Sequence, residues 1–236
     1  MKRIAHIEND MSEKFGIPRQ SGMVTEIIST IIFEPEYRNP DALRGLDEFS
    51  HLWIIWEFEG FGVPLTAESN SDDSEEDSDT CLKWSPTVRP PRLGGNTRMG
   101  VFATRSPNRP NPIGLSCVEI KEIVETGDGT VIRVAGADMR DGTAILDIKP
   151  YIPFTDSHPD ATGGFVDSNP MHRLTVEDPD GLLEKALPPD KALAAKALIE
   201  QDPRPSYHND PKRIYGMKYA GADIHFRIIG DTAVIV

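Results

Sequence analysis

Residues 51–58 read HLWIIWEF. The run is short, apolar and aromatic, which predicts a buried strand rather than a helix. Side chains alternate along a strand, so Leu52, Ile54, Trp56 and Phe58 line one face and His51, Trp53, Ile55 and Glu57 the other. Working outward, residues 2–7 and 24–33 (VTEIISTIIF) are rich in Ile, Val and Thr, and 98–104 (RMGVFAT), 115–124, 130–134 and 144–148 continue the pattern. Such closely spaced strands with turn signals between them suggest a barrel or a sandwich. Asn39, Pro40 and Asp41 cap one helical turn through Leu43. The character changes after Phe154. Residues 155–169 are polar, and 190–201 (DKALAAKALIEQ) form an amphipathic helix with Leu193, Ala197 and Leu198 on one stripe. Pro203 and Pro205 stop it, and 214–236 then alternates as two or three short strands. The expected fold is mainly β: a β domain over 1–157, then a small α+β C-terminal domain over 158–236.

A chain of 236 residues, 38% hydrophobic and 27% charged, can bury the core of one full domain and a small second one. No apolar run is long enough to span a membrane, and the N-terminus lacks an apolar signal region. Cys81 and Cys117 are too few for a disulfide framework or a four-ligand zinc site, and the six histidines lack metal-ligand spacing, so no metal is expected. These features predict a soluble, cytoplasmic protein with no membrane partner. Net charge is −13, but unevenly placed. Residues 68–79 hold seven acids and no base, whereas 82–118 hold six bases and no acid. The acidic stretch, 66–80 (TAESNSDDSEEDSDT), reads as a mobile insertion between two strands. The basic stretch can steer an anionic ligand.

No phosphate-binding P-loop, dinucleotide fingerprint or nucleophile elbow is present. Residues 125–129 (ETGDG) loosely echo a glycine-rich cofactor turn, but TVIRV follows, so a hairpin turn is expected there. Three segments carry chemistry: 14–20 (KFGIPRQ), 89–116 and 141–151. Within the second, 105–114 (RSPNRPNPIG) is stiffened by three prolines and flanked by Arg105 and Arg109, whose forked guanidinium groups suit a carboxylate or phosphate. In the third, Asp147 and Lys149 share one face of a strand while Leu146 and Ile148 turn to the core, and Tyr151 continues the polar face. A carboxylate at a strand end can accept ribose hydroxyl bonds or face a cation.

KFGIPRQ, ALRGLDEFSHLWIIWEF, TVRPPRLGGNTRMGVFATRSPNRPNPIGLS and DGTAILDIKPYIPF together resemble the signatures of the tRNA N6-methyltransferase O family (TsaA/YaeB-like). The likeness covers about residues 1–160 and extends to EQDPRPSYH in the C-terminal part; the acidic insertion is not part of the pattern. The resemblance implies a β-barrel methyltransferase whose cofactor is S-adenosylmethionine (SAM). It implies methylation at N6 of N6-threonylcarbamoyladenosine at tRNA position 37, beside the anticodon, chiefly on a threonine tRNA. It also implies a homodimer, with the C-terminal element helping to hold the RNA. By matching positions, the cofactor site comprises Pro18, Arg19 and Gln20; Ser50, His51 and Leu52; Arg105 and Leu115; and Asp147, Ile148 and Lys149. Arg89, Arg92, Arg98 and Arg109 are expected on RNA phosphates.

Methyl transfer to a urea-like N6 is helped by a proton acceptor near N6–H. Asp147 is the first catalytic candidate, with His51 and Tyr151 behind it. Two other readings of the residues stand beside this one. A non-catalytic RNA-binding β-barrel would use Trp53, Trp56 and Trp84 as stacking surfaces, although Trp56 falls among core positions. SAM-dependent methylation of a small molecule would need no tRNA.

Overall fold

The alternating Ile, Val and aromatic residues do form strands, and the computed structural model describes residues 1–60, 85–205, 208 and 210–236. β1 (Ala5–Glu8), β2 (Ile28–Phe33) and β3 (His51–Glu57) come first. A short ribbon, β4 (Thr87–Val88) with β5 (Met99–Gly100), follows, and then β6 (Ile113–Thr126), β7 (Gly129–Ala135) and β8 (Ala144–Pro150). The barrel closes in the order β1-β2-β7-β6-β3-β8. Each neighbouring pair is antiparallel. Closure gives each of the six strands a neighbour on both sides, which an open sheet denies its edge strands. The interior is filled by Ile7, Ile31, Leu52, Ile54, Trp56, Val118, Ile132 and Ile145, with Ala137 and Met139 at one end.

Three expectations about this region need correction. Residues 98–104 do not form a full strand: β5 holds two residues, and Val101–Ala103 coil into a single tight turn before the proline loop. Glu57, expected on the outer face of β3, is 6% exposed, where the Phe58 amide donates to the Pro112 carbonyl and brings the proline loop onto the strand's end. On β8, Ile55 pairs with Asp147 but Trp56 pairs with Ile145, leaving Leu146 as an extra residue. That bulge lets Ile145 and Ile148 both serve the barrel core, which strict alternation would forbid. The hairpin at 125–129 is as expected, β6 and β7 pairing down to Thr126 and Gly129.

Beyond the barrel come α1 (Pro153–Asp156), β9 (Thr175–Glu177), α2 (Leu182–Ala186), α3 (Pro189–Glu200), β10 (Ile214–Tyr219), β11 (Ala222–Ile229) and β12 (Thr232–Ile235). The last three make an antiparallel meander, with β9 added parallel to β12. One sheet face is buried, through Tyr215, Met217, Tyr219, Ile224, Phe226 and Ile228. On α3 the buried stripe is Ala192, Ala194, Ala195, Leu198 and Ile199, while Leu193 is 58% exposed. The expected Leu193–Ala197–Leu198 stripe thus holds at Leu198 and, in part, at Ala197, while Leu193 turns to solvent and alanines take its place in the core.

The long connection between β1 and β2 reaches from the barrel to the second core. Met11, Val24 and Ile27 are part of the second core, and Phe15, Ile17 and Met23 pack against it. Gly16 has φ +93°, and a Cβ there would meet the Met217 sulfur at 2.5 Å. Only glycine allows this approach. Ion pairs Lys191–Asp10 and Lys218–Glu13 hold the same connection. The 66–80 insertion, Cys81 and Trp84 lie outside the described residues.

Candidate active site

β6 pairs with β3 along Ile113–Glu119, but with β7 only from Glu119 onward. The barrel wall is thus parted between β6 and β7 at one end, leaving backbone groups of β6 to be satisfied by something else. Two loops supply the partners. The Ser21 hydroxyl accepts from the Cys117 amide at 3.1 Å, and the Gly22 amide donates to the Gly136 carbonyl at 2.8 Å. Gly136 has φ +82°, and a Cβ there would lie 3.0 Å from the Gly22 Cα, so the loops meet backbone to backbone.

At this opening sits Asp138. Its carboxylate accepts from the Ser116 hydroxyl at 2.5 Å, and Ser116 in turn accepts from the Trp56 indole N–H at 2.8 Å. The Trp56 ring lies flat against Gly114, where a Cβ would come within 2.2 Å of it. Burial pushes the Asp138 pKa up to about 6, against the opposing pull of the Ser116 hydrogen bond, backbone amides and the Arg105 charge. Arg105 Nη1 donates to Gln20 Oε1 at 2.6 Å. The opening therefore gathers a guanidinium, a carboxylate whose pKa burial raises and two side-chain polar groups, from four separated stretches of chain.

The predicted residues divide into groups. Gln20 and Arg105 meet at this opening. Ser50, His51 and Tyr151 meet on the outer barrel face: Ser50 Oγ is 2.9 Å from His51 Nδ1, and the Tyr151 amide donates to the His51 carbonyl at 3.0 Å. The Tyr151 ring lies 6.2 Å from His51 and 5.9 Å from Trp53, whose indole donates to Asp156 at 3.0 Å. Trp53 is the cross-strand partner of Cys117, which Ser21 holds, so the aromatic strip adjoins the first loop.

Asp147 stands apart. It pairs with Ile55, four residues from His51 along β3, roughly 13 Å by strand rise. It accepts from its neighbour's amide at 2.9 Å and lies 3.1 Å from Lys149 Nζ. Leu115 is exposed on the same outer face, Ile148 packs against the barrel core, Leu52 is fully buried within it, and Pro18 is buried.

Arg19 turns away from Gln20 and reaches the carbonyls of Asp202 and Arg204. Among the basic residues, Arg89 is exposed and Arg98 donates to Thr87 Oγ1 at 2.8 Å. Arg92 donates to the Asn169 carbonyl at 3.3 Å. Arg109 differs: it grips the Val101 and Thr104 carbonyls at 3.1 and 2.7 Å and so pins the proline loop.

Sequence reading missed Asp138, Ser116 and Trp56 as members of the site. Ser116 and Trp56 read as strand residues, and Asp138 falls between the strand at 130–134 and the segment at 141–151. Nothing in their spacing announces a shared hydrogen-bond chain. Among the described residues no cluster of three or more His, Cys, Asp or Glu side chains could hold a metal ion, and no helix is long and apolar enough to cross a membrane.

Comparison with known proteins gives concordant results. The family model for the tRNA-methyltransferase O N-terminal domain matches residues 6–157, and that for the TrmO C-terminal domain matches 184–236. The tRNA (adenine(37)-N6)-methyltransferase of Escherichia coli (strain K12) is 42% identical over 212 residues, covering 87% of this chain and 82% of that protein. The enzyme of the same name from Eikenella corrodens is 43% identical over 187 residues, covering 79% and 95%. A Pyrococcus abyssi protein named "Probable S-adenosyl-L-methionine-binding protein" is 30% identical over 178 residues, covering 75% and 81%. Among solved structures, TrmO from Pseudomonas aeruginosa superposes with TM-score 0.71 at 27% identity, covering 99% of this chain and 94% of that one.

Proposed function

Because this chain belongs to the tRNA-methyltransferase O family, we propose that it uses SAM to methylate N6 of the adenine at tRNA position 37. The observation that carries the reading is the convergence of Gln20, Arg105, Ser116 and Asp138 at the parted end of a barrel whose relatives bear that enzyme's name.

The residues at the opening fit the cofactor. Arg105 offers a guanidinium to a carboxylate, and Gln20 beside it offers an amide. The strip of Trp53, Tyr151 and His51 offers aromatic faces to an adenine ring. When bound, SAM supplies an electrophilic methyl group. The protein's own task is alignment and exclusion of water. The proline loop, pinned by Arg109, loses little freedom when it closes on a ligand.

Asp138 is the proton acceptor. Its carboxylate stands at the opening, is ionised above pH of about 6, and can take the N6 proton as the nitrogen is alkylated. Asp147, engaged by Lys149, serves the outer surface instead. His51 and Tyr151 orient the bound base or cofactor.

The substrate is the N6-threonylcarbamoyl form of adenine 37, with threonine tRNA its main carrier. The protein acts in the cytoplasm as a homodimer, in which a second copy covers the outer-face apolar side chains Leu115 and Phe154, 53% and 91% exposed. The test is methylation of purified threonine tRNA with and without the threonylcarbamoyl group, read by mass spectrometry of the released nucleosides. One new methyl on the modified adenine is expected. No methylation of either tRNA by protein that binds SAM overturns the reading.

A further inference from the structure

A cavity of about 360 Å³ opens where the 14–20 loop, the turn after β4 and the stretch following α3 come together. Arg19, Arg92 and Arg204 line it with His172 and His208, and among the described lining residues the one carboxylate is Asp202, which Arg204 Nε already holds at 2.9 Å. Arg19 donates to the Asp202 and Arg204 carbonyls at 3.4 Å each, and Arg92 to the Asn169 carbonyl. Carbonyls satisfy guanidinium N–H groups but neutralise no charge. The pKa of Arg19 is pushed down first by desolvation; Asp202 opposes this, and Arg92 adds a smaller push in the same direction as burial. Two guanidinium groups that repel one another across a cavity are relieved by an anion between them. A second observation points the same way. Gln201 is 6% exposed, lines the cavity, and its Oε1 has no hydrogen-bond partner. Such an orphan acceptor in a native fold calls for a donor.

We infer that this cavity is a substrate subsite that takes an oxyanion with a neighbouring hydroxyl from the RNA. Two groups in the substrate have that chemistry: the carboxylate and hydroxyl of the threonylcarbamoyl side chain, and a backbone phosphate with its ribose 2′-hydroxyl. The inference rests on the tRNA reading above. It places Arg19 with the substrate rather than the cofactor, and it explains why the C-terminal unit grips the first loop: the two together build the cavity.

The experiment measures binding of the full-length protein to two anticodon stem-loop RNAs, identical except that one carries N6-threonylcarbamoyladenosine. Wild type, Arg92→Gln and Gln201→Leu are compared over a range of salt, with SAM affinity and thermal unfolding measured alongside. Arg92→Gln should weaken RNA binding about tenfold and leave SAM affinity unchanged. Gln201→Leu removes an unpaired buried acceptor, so its folding stability should hold or rise while RNA affinity falls, which a merely structural residue would not show. Loss confined to the modified RNA identifies the carboxylate as the occupant. Equal loss for both RNAs, with the salt slope lower by about 0.7–1 for the arginine variant, identifies a phosphate. Unchanged affinity of both variants for both RNAs overturns the subsite while leaving the methyltransferase reading intact. Failure of the wild type to bind either RNA, with SAM binding retained, overturns the tRNA reading and this subsite with it.

Discussion

Arg105 donates to the Gln20 side-chain oxygen across 2.6 Å, joining two loops 85 residues apart in sequence. The bond ties the stiff proline loop of the barrel to a loop anchored on the C-terminal sheet. Both residues are at the surface of the opening, so removing either should spare the fold. Arg105→Ala is expected to lower SAM affinity tenfold or more with little change in melting temperature. Calorimetry on ligand-free protein checks this; unchanged affinity would remove Arg105 from the cofactor site.

Asp138 should make stability fall as pH rises. Its folded pKa, about 6, lies above the ordinary carboxylate value of 3.8. The native state therefore binds the proton more tightly than the unfolded chain, and that stabilisation is full below about pH 4 and lost as pH rises through 6. Asp138→Asn keeps an acceptor for Ser116 without the charge. It should be more stable than wild type by about 1–3 kcal/mol at pH 8, with the difference vanishing near pH 4. Denaturant unfolding at the two pH values measures it.

The same variant separates stability from chemistry. Wild-type single-turnover rates should rise through pH of about 6 and level off, as Asp138 ionises. Asp138→Asn should lose most of the rate and the inflection together. A variant that kept the wild-type profile would transfer the proton-acceptor role elsewhere.

Asp147→Asn tests the reading that the sequence favoured. Asp147 is half exposed, held by Lys149, and remote from His51 along the strand. Exposed pairs of this kind contribute about 0–1 kcal/mol, so turnover should stay within about threefold of wild type. A turnover loss of a hundredfold with SAM affinity retained would restore Asp147 as the base.

Gly114→Ala probes the wall of the site. The added methyl would meet the Trp56 ring at 2.2 Å, forcing the indole off Ser116. Overpacking of this kind costs about 1–3 kcal/mol, and the lost hydrogen bond about 1 more. Trp56→Phe removes the hydrogen bond and part of the buried ring, and should cost about 2–4 kcal/mol. Chemical denaturation of both variants ranks the two effects.

The strands were legible from residue type and from the period of two that burial on one face imposes. HLWIIWEF reads as β3 because it is a short apolar and aromatic run, whereas the strands that end the chain read from their alternation. Where the period is broken by geometry, the reading went astray. The bulge at Leu146 shifts Ile145 into the core, and α3 buries Ala192, Ala194 and Ala195 while Leu193 faces solvent. Neither is encoded in the hydrophobicity of neighbouring residues.

Recognition of the family also came from the sequence, since long contiguous motifs survive as strings whatever their spatial arrangement. Those motifs named Pro18, Arg19, Gln20, Ser50, His51, Leu52, Arg105, Leu115 and Asp147 to Lys149 as cofactor residues, and how these sit in space cannot be read from a string. That Asp138 joins Ser116 and Trp56, that Arg19 faces Arg92 rather than its neighbour's partner Arg105, and that the first loop lies on the last sheet were decided by tertiary structure alone. The reason is physical. Sequence patterns report which side of an element is buried, a local property of backbone geometry. Hydrogen bonds and charge between distant loops depend on how closed sheets bring those loops together, and no local period records it.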